Sequence, residues 1–155
     1  GDAPSRVFAG AVRQVCEHLA KEIARDGEGA KHLIECVIDG AKSDADARVM
    51  ARSVVSSLLV KTAVYGRDPN WGRYLMAVGK TGIPVDESKI QVFVNAIQIV
   101  EGGTAIPFNI QSIVAALGEP EVHLRIALHL GKGTGVAWGS DLTEDYVVEN
   151  SAYTT

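Results

Sequence analysis

The stretch VHLRIALHL, Val122–Leu130, decides the fold class. Val122, Leu124, Ile126, Leu128 and Leu130 take every second position, with His123, Arg125, Ala127 and His129 between them. An extended chain sends successive side chains to opposite faces, so this stretch predicts a strand with one apolar face. The glycines of GKGTGVAWG, Gly131–Gly139, follow at once and predict a hairpin: a turn over Gly131–Gly133, then a second strand, Gly135–Gly139, beside the first. A dinucleotide-binding loop is not expected there, because that fingerprint follows a strand and opens a helix, whereas these glycines lead into strand-like residues.

Working outward, the other elements alternate between helix and strand. Phe8, Val12, Val15, Leu19 and Ile23 recur at helical spacing and predict an amphipathic first helix, ended by Asp26-Gly27-Glu28-Gly29. Leu33–Ile38 predicts a strand and Asp39-Gly40 a turn. Ser43 with Asp46 resembles a capping box ahead of a second helix that buries Ala47, Met50, Val54 and Leu58. Ile90, Val92 and Val94 predict a strand that turns at Asn95-Ala96 into Ile97–Val100. Asn109 is placed to cap a helix with Ile110, Ile113, Val114 and Leu117 facing inward, ended by Gly118 and Pro120, and Thr143 to cap a last helix running to about Glu149. The expected class is α+β, with helices packed on a mixed or antiparallel sheet, and residues 1–155 forming a single domain.

The most unusual stretch is VKTAVYGRDPNWGRYLMAVG, Val60–Gly79. Its first part, Leu59–Tyr65, reads as a short buried strand. Asp68-Pro69 reads as a helix start, since aspartate accepts from free N–H groups and proline needs no partner for its nitrogen. Trp71, Tyr74, Leu75 and Val78 then form an apolar stripe, and Gly79 suits the left-handed position past the last turn. The helix N-terminus with Arg67 and Arg73 beside it would suit an anion; the reading favoured by residue chemistry is that the arginines are paired or solvated and Trp71 anchors the helix.

Composition narrows the partners. The chain has 155 residues, 46% hydrophobic and 22% charged, with a formal charge of -4 from 15 basic and 19 acidic residues. That balance argues against a sequence-independent grip on nucleic acid or an anionic membrane and favours a small soluble ligand. No apolar run is long enough to span a bilayer, and GDAPSRVF lacks the pattern of a signal peptide, so the cytosol or an organelle matrix is expected. The chain begins at Gly1, which fits a processed product or a fragment. Cys16 and Cys36 lack any CxxC spacing and read as small reduced core residues. His123 and His129 share a strand face but stand roughly 20 Å apart, and His18 and His32 have no ligand-spaced partner, so no metal site is expected. No GxSxG elbow or other motif announces a nucleophile, so no catalytic residue is assigned.

VKTAVYGRDPNWGRYLMAVG resembles the ornithine acetyltransferase family, also called the bifunctional glutamate N-acetyltransferase family of arginine biosynthesis. The similarity continues through Ala24–Ala47, Glu101–Gly103 and the closing DLTEDYVVENSAYTT, Asp141–Thr155. The resemblance implies the C-terminal portion of the beta chain of a self-cleaving enzyme with an N-terminal threonine nucleophile. The acetyl group of N-acetylornithine passes to that threonine and then to glutamate, and some members also use acetyl-CoA as co-substrate; no cofactor is implied. The matching region lies downstream of the nucleophile, so the threonine and the oxyanion-stabilising residues belong to upstream segments, and an assembly of alpha and beta chains is implied. The setting is cytoplasmic, or the mitochondrial matrix in fungi. By the same resemblance Glu28, in DGEGA, and Asn150 and Thr155, in ENSAYTT, match substrate-contacting residues. Their chemistry agrees: a carboxylate suits a substrate ammonium, and an amide and a hydroxyl suit its polar atoms. Glu28 as a solvated turn and the tail as a frayed end are the alternatives; under the binding reading the tail packs back on the domain. Two other readings of the whole remain open, a non-catalytic binding or assembly domain and a related N-terminal-nucleophile hydrolase.

Overall fold

The structure is a computed structural model that describes residues 3–152. Its chain order is α1 (Ala3–Arg25), β1 (Leu33–Ala41), α2 (Asp44–Ser56), α3 (Leu58–Tyr65), α4 (Trp71–Gly79), β2 (Gln91–Val94), β3 (Ile97–Glu101), β4 (Thr104–Ala105), α5 (Ile110–Leu117), β5 (Glu121–Ala127), β6 (Gly133–Ser140) and α6 (Glu144–Ala152). The strands form one sheet in the order β4-β3-β2-β5-β1-β6. Only β1 and β5 run parallel; the other neighbours are antiparallel. The α+β class with helices on a mixed sheet is therefore what the chain adopts.

The period-2 pattern places the core. Ile34, Cys36 and Ile38 of β1, Val122, Leu124 and Ile126 of β5, and Val92 and Val94 of β2 are all fully buried on one face. That face is covered by Ala47, Met50, Ala51 and Val54 of α2, with Val60, Val64, Tyr74, Val78, Ile113 and Leu117 from the other helices completing one cluster. Helix α2 rides directly on β6, which presents Gly133, Gly135 and Gly139 to it. A Cβ added at Gly135 would stand 2.5 Å from the Arg48 nitrogen, so only glycine permits this helix-to-strand approach. The Ser43 hydroxyl accepts from the Asp46 N–H at 3.1 Å and starts α2 as expected.

On the opposite face lie the alternate residues of the same strands, among them the polar Glu35 and Asp39 of β1, His123 and Arg125 of β5 and Gln91 of β2. Glu35 of β1 accepts from Trp138 Nε1 at 2.7 Å, lies 3.1 Å from His123 Nδ1, and pairs with Lys21 of α1 at 2.8 Å. Burial alone would push the Glu35 carboxyl up; the bonds from Lys21, Trp138 and His123 outweigh it and hold the group below the ordinary carboxylate value. Arg25 on the last turn of α1 bonds Glu121 of β5 at 2.7 Å. Helix α1 is thus fastened across this face by its C-terminal half. The apolar stripe predicted for it is present but uncovered, with Phe8 71%, Leu19 53% and Ile23 76% exposed.

Several expectations are corrected. Leu59–Tyr65 is not a strand but the body of α3, because the Ser57 hydroxyl caps the helix at Val60 and Val60, Ala63 and Val64 are buried at helical spacing. Leu58 opens this helix, 66% exposed, rather than ending α2 in the core. Helix α4 begins at Trp71, not at Pro69: Asp68 donates its N–H to Ala63 and faces Arg73 at 3.5 Å, closing α3 instead of capping α4. Gly79 is still helical, and the left-handed residue is Gly82, φ 70°. The hairpin of Val122–Leu130 with Gly135–Gly139 does not form. Strand β5 ends at Ala127, His129 turns at φ 53°, and Leu130 and Gly131 donate to Gly40, so the chain passes over the end of β1 and β6 pairs on its far side. A nine-residue strand whose inner face is wholly buried needs partners on both edges, and the glycine-rich crossing supplies the second. Beyond these, Ile110 is 59% exposed, and Cys16 is exposed on α1 while Cys36 is buried, where burial pushes its thiol up.

Candidate functional site

The loop from α1 to β1 carries Glu28, and the connection from β6 carries α6 with Asn150; 122 residues separate the two in sequence. The fold draws them together, and Asn150 Nδ2 donates to Glu28 Oε2 at 2.8 Å and to the Tyr146 carbonyl at 2.9 Å. Both side chains are exposed, so an incoming polar group can replace the amide on the carboxylate. Thr155, the third expected residue, and the packing of the tail lie outside the described residues.

What holds the pair in place is a set of contacts beneath it. Asp141, 3% exposed, accepts from the Lys31 N–H at 2.9 Å and the His32 N–H at 3.1 Å, and its other oxygen lies 2.7 Å from His32 Nδ1. Thr143, also 3% exposed, donates to the Gly29 carbonyl at 2.7 Å and accepts from the Tyr146 N–H at 3.2 Å, so one hydroxyl caps α6 and ties it to the Glu28 loop. Gly29, at φ 65°, lets that loop lie against α6; a Cβ there would stand 2.5 Å from the Tyr146 nitrogen. At the rim Lys31 pairs with Asp145 at 3.0 Å. The result is a carboxylate and an amide presented side by side from a braced loop and a braced helix, an arrangement suited to gripping an ammonium group.

Thr143 is legible in the sequence as a helix cap, but its second bond, to Gly29, and the part played by Asp141 are not. Asp141 and Thr143 act on residues 109 to 114 positions earlier, and no local spacing marks such a link. The expected anion grip near α4 takes the milder form: Arg73 donates to the Leu59 carbonyl at 3.0 Å and faces Asp68, while Trp71 packs against the core. Among the described residues no group of three His, Cys, Asp or Glu side chains is placed to hold a metal ion, and no helix is long and apolar enough to cross a membrane.

The chain has close relatives. The arginine biosynthesis bifunctional protein ArgJ of Geobacillus kaustophilus is 47% identical over 148 residues, covering 96% of this chain and 36% of that protein. The protein of the same name from Parasynechococcus marenigrum is 43% identical over 159 residues, covering 100% of this chain and 39% of its own length. The chain therefore spans little more than a third of the length of these curated relatives. The crystal structure of arginine biosynthesis bifunctional protein ArgJ from Bacillus halodurans matches with a TM-score of 0.95 at 42% identity, over 98% of this chain and 72% of that one. A profile of the ArgJ family matches residues 2–155, and by these matches the chain belongs to the ArgJ family.

Proposed function

We propose that this chain is the substrate-gripping portion of an N-acetyltransferase that moves the acetyl group of N-acetylornithine to glutamate. In that reaction a threonine hydroxyl outside this chain attacks the acetyl carbonyl, the amide C–N bond breaks, and ornithine leaves with a proton. The amine of glutamate then attacks the resulting ester, the C–O bond breaks, and the threonine hydroxyl is restored. Glu28 and Asn150 take no part in bond making; they hold the polar end of the amino acid so that the reacting atoms meet, which is where much of the rate of acyl transfer arises. Thr155, matched by the same resemblance, is the third proposed substrate contact. Acetyl-CoA is a possible alternative donor, no bound cofactor is needed, and the partner is the remaining polypeptide of an ArgJ-length protein, as cleaved alpha and beta chains.

The observation that carries this reading is the Glu28–Asn150 contact, which unites two distant motifs at one exposed, braced spot. Its test is Glu28→Gln in the full-length protein, which keeps the shape and removes the charge facing an ammonium. KM for the amino-acid substrates should rise, with kcat/KM lower by about 1.5 to 3 kcal/mol in barrier terms, roughly 13- to 160-fold. The melting temperature should stay put because the side chain is exposed. Kinetics identical to the parent would return Glu28 to the role of a turn residue and leave the non-catalytic reading of the domain in possession.

A further inference from the structure

Helix α1 is mounted with its apolar side outward. Phe8, Val12, Val15, Leu19 and Ile23 fall within an arc of about 80° at roughly 100° per residue, and all five are exposed. The helix meets the sheet through its other side, where Lys21 pairs with Glu35 at 2.8 Å and Ala20 and Ala24 are half-buried. Every residue from Pro4 to Leu19 is exposed, and among the described residues the core cluster takes no member from α1. A surface helix ordinarily turns its apolar stripe to the core and its charges to water. Helix α1 does the reverse. The core of this domain is complete without it, and the stripe belongs to a second core that the described residues do not build. Such a helix is marginal on its own, because packing of the apolar face supplies most of a helix's stability in proteins.

The stripe runs for about 22 Å from Phe8 to Ile23, at about 1.5 Å per residue. Ala11 and Cys16 border it, small enough for another layer to approach closely. The matches to relatives point to what covers it. This chain spans 36% of the Geobacillus kaustophilus protein and 72% of the Bacillus halodurans chain that shares its fold, so the greater part of an ArgJ-length polypeptide lies outside it. A segment of the same polypeptide meets α1 at the high effective concentration of a tethered partner, which a second copy free in solution does not reach. An anionic membrane is a poor rival: the chain carries a net charge of -4, Glu22 stands beside Ile23, and Lys21 and Arg25 are already paired with Glu35 and Glu121. We infer that the α1 stripe is a seam that packs against the remaining polypeptide of an ArgJ-length protein, which presents an apolar strip of matching length. One helix thus joins two cores, by charge on one side and by apolar contact on the other. This rests on the part of the functional reading that makes that polypeptide the partner, and not on the acetyl transfer itself.

The test puts the photo-crosslinking residue p-benzoylphenylalanine in place of Phe8 in the full-length protein and identifies the joined peptides by mass spectrometry. Position 8 should crosslink to a peptide from outside residues 1–155. A crosslink to these same residues in a second copy, one formed only when anionic vesicles are added, or none beyond that of the urea-unfolded protein overturns the seam. Substitution gives a second reading. Leu19→Asp in the full-length protein should lower the urea midpoint markedly, while Leu19→Met, which keeps the apolar surface, and Gln14→Asp, on a polar flank of the same helix, should stay near the parent. Leu19→Asp with the parent's midpoint would mean that the stripe meets water in the whole protein, and overturns the seam as well. Acetyl transfer measured on the same preparations separates this inference from the reading beneath it. A crosslink to the outside polypeptide in a protein that moves no acetyl group sinks the proposed reaction and keeps the seam; transfer by a protein whose position 8 reaches only water or a second copy does the reverse.

Discussion

Asp141 shows how one buried side chain sets the position of others that meet solvent. Its two oxygens serve two backbone N–H groups and one imidazole, so replacing it by alanine leaves three polar groups without their acceptor in a place that water scarcely reaches. Asp141→Ala should lower stability by about 2 to 4 kcal/mol, read as a lower midpoint in urea. Asp141→Asn keeps one oxygen acceptor and should lose less. A midpoint unchanged in the alanine variant would mean that the loop and α6 are held by Thr143 and Gly29 without it. Sequence chemistry could nominate Glu28 and Asn150, because their residue types fit an ammonium and a motif resemblance drew them out. It could not nominate Asp141, or show that the Thr143 cap also ties α6 to Gly29, because those links reach residues brought in by the fold, 109 and 114 positions away.

At the scale of elements, α1 is joined to the sheet by charge rather than by its apolar stripe, and that makes the joint sensitive to acid. Glu35 has its carboxyl lowered in the folded protein, so its contribution is fully present above the ordinary carboxylate range and is lost as pH falls through the lowered folded value. Glu35→Gln should therefore cost about 1 to 2 kcal/mol near neutral pH and progressively less below about pH 4, as first the unfolded chain's carboxylate and then the folded one takes up a proton. Urea unfolding of both proteins across that range measures the difference; a gap that stays constant with pH would mean that packing against Trp138, not charge, makes the joint. What the sequence made legible among the elements follows the same division between local and remote causes. Five helices and the β2–β3 hairpin were readable because caps at Ser43, Asn109 and Thr143 and period-3.6 or period-2 patterns are local signals. Helix α3 is hard to read because a short stretch such as Leu59–Tyr65, apolar except at Lys61 and Thr62, suits a strand or a buried helix equally, and the Ser57 cap tells them apart. The pairing of β6 was misread because strand neighbours are chosen by the whole sheet, and a short glycine turn between two strands is a weak guide when a third strand needs an edge covered.

The molecule as a whole is built around β1, which lies between β5 and β6 and has no neighbour close to it in sequence. Its parallel partner pairs Leu33 with Glu121, its antiparallel partner pairs Leu33 with Ser140, and α2 fills in between, packed on both β1 and β6. Such remote pairings lengthen the search for the native sheet, so refolding from denaturant should be slow for a chain of this size, in the millisecond-to-second range or longer, with β1 amides protected late. Pulse-labelled hydrogen exchange reads this directly, and early protection of Ile34–Ile38 would contradict it. The same placement has a consequence during synthesis. A ribosome adding about 5 to 20 residues each second needs roughly 4 to 18 s to pass from the start of β1 to the start of β5. Through that interval the longest strand of the protein waits with both of its edges open, and strand-shielding chaperones should find their client in Leu33–Ala41 rather than in any part of the finished surface.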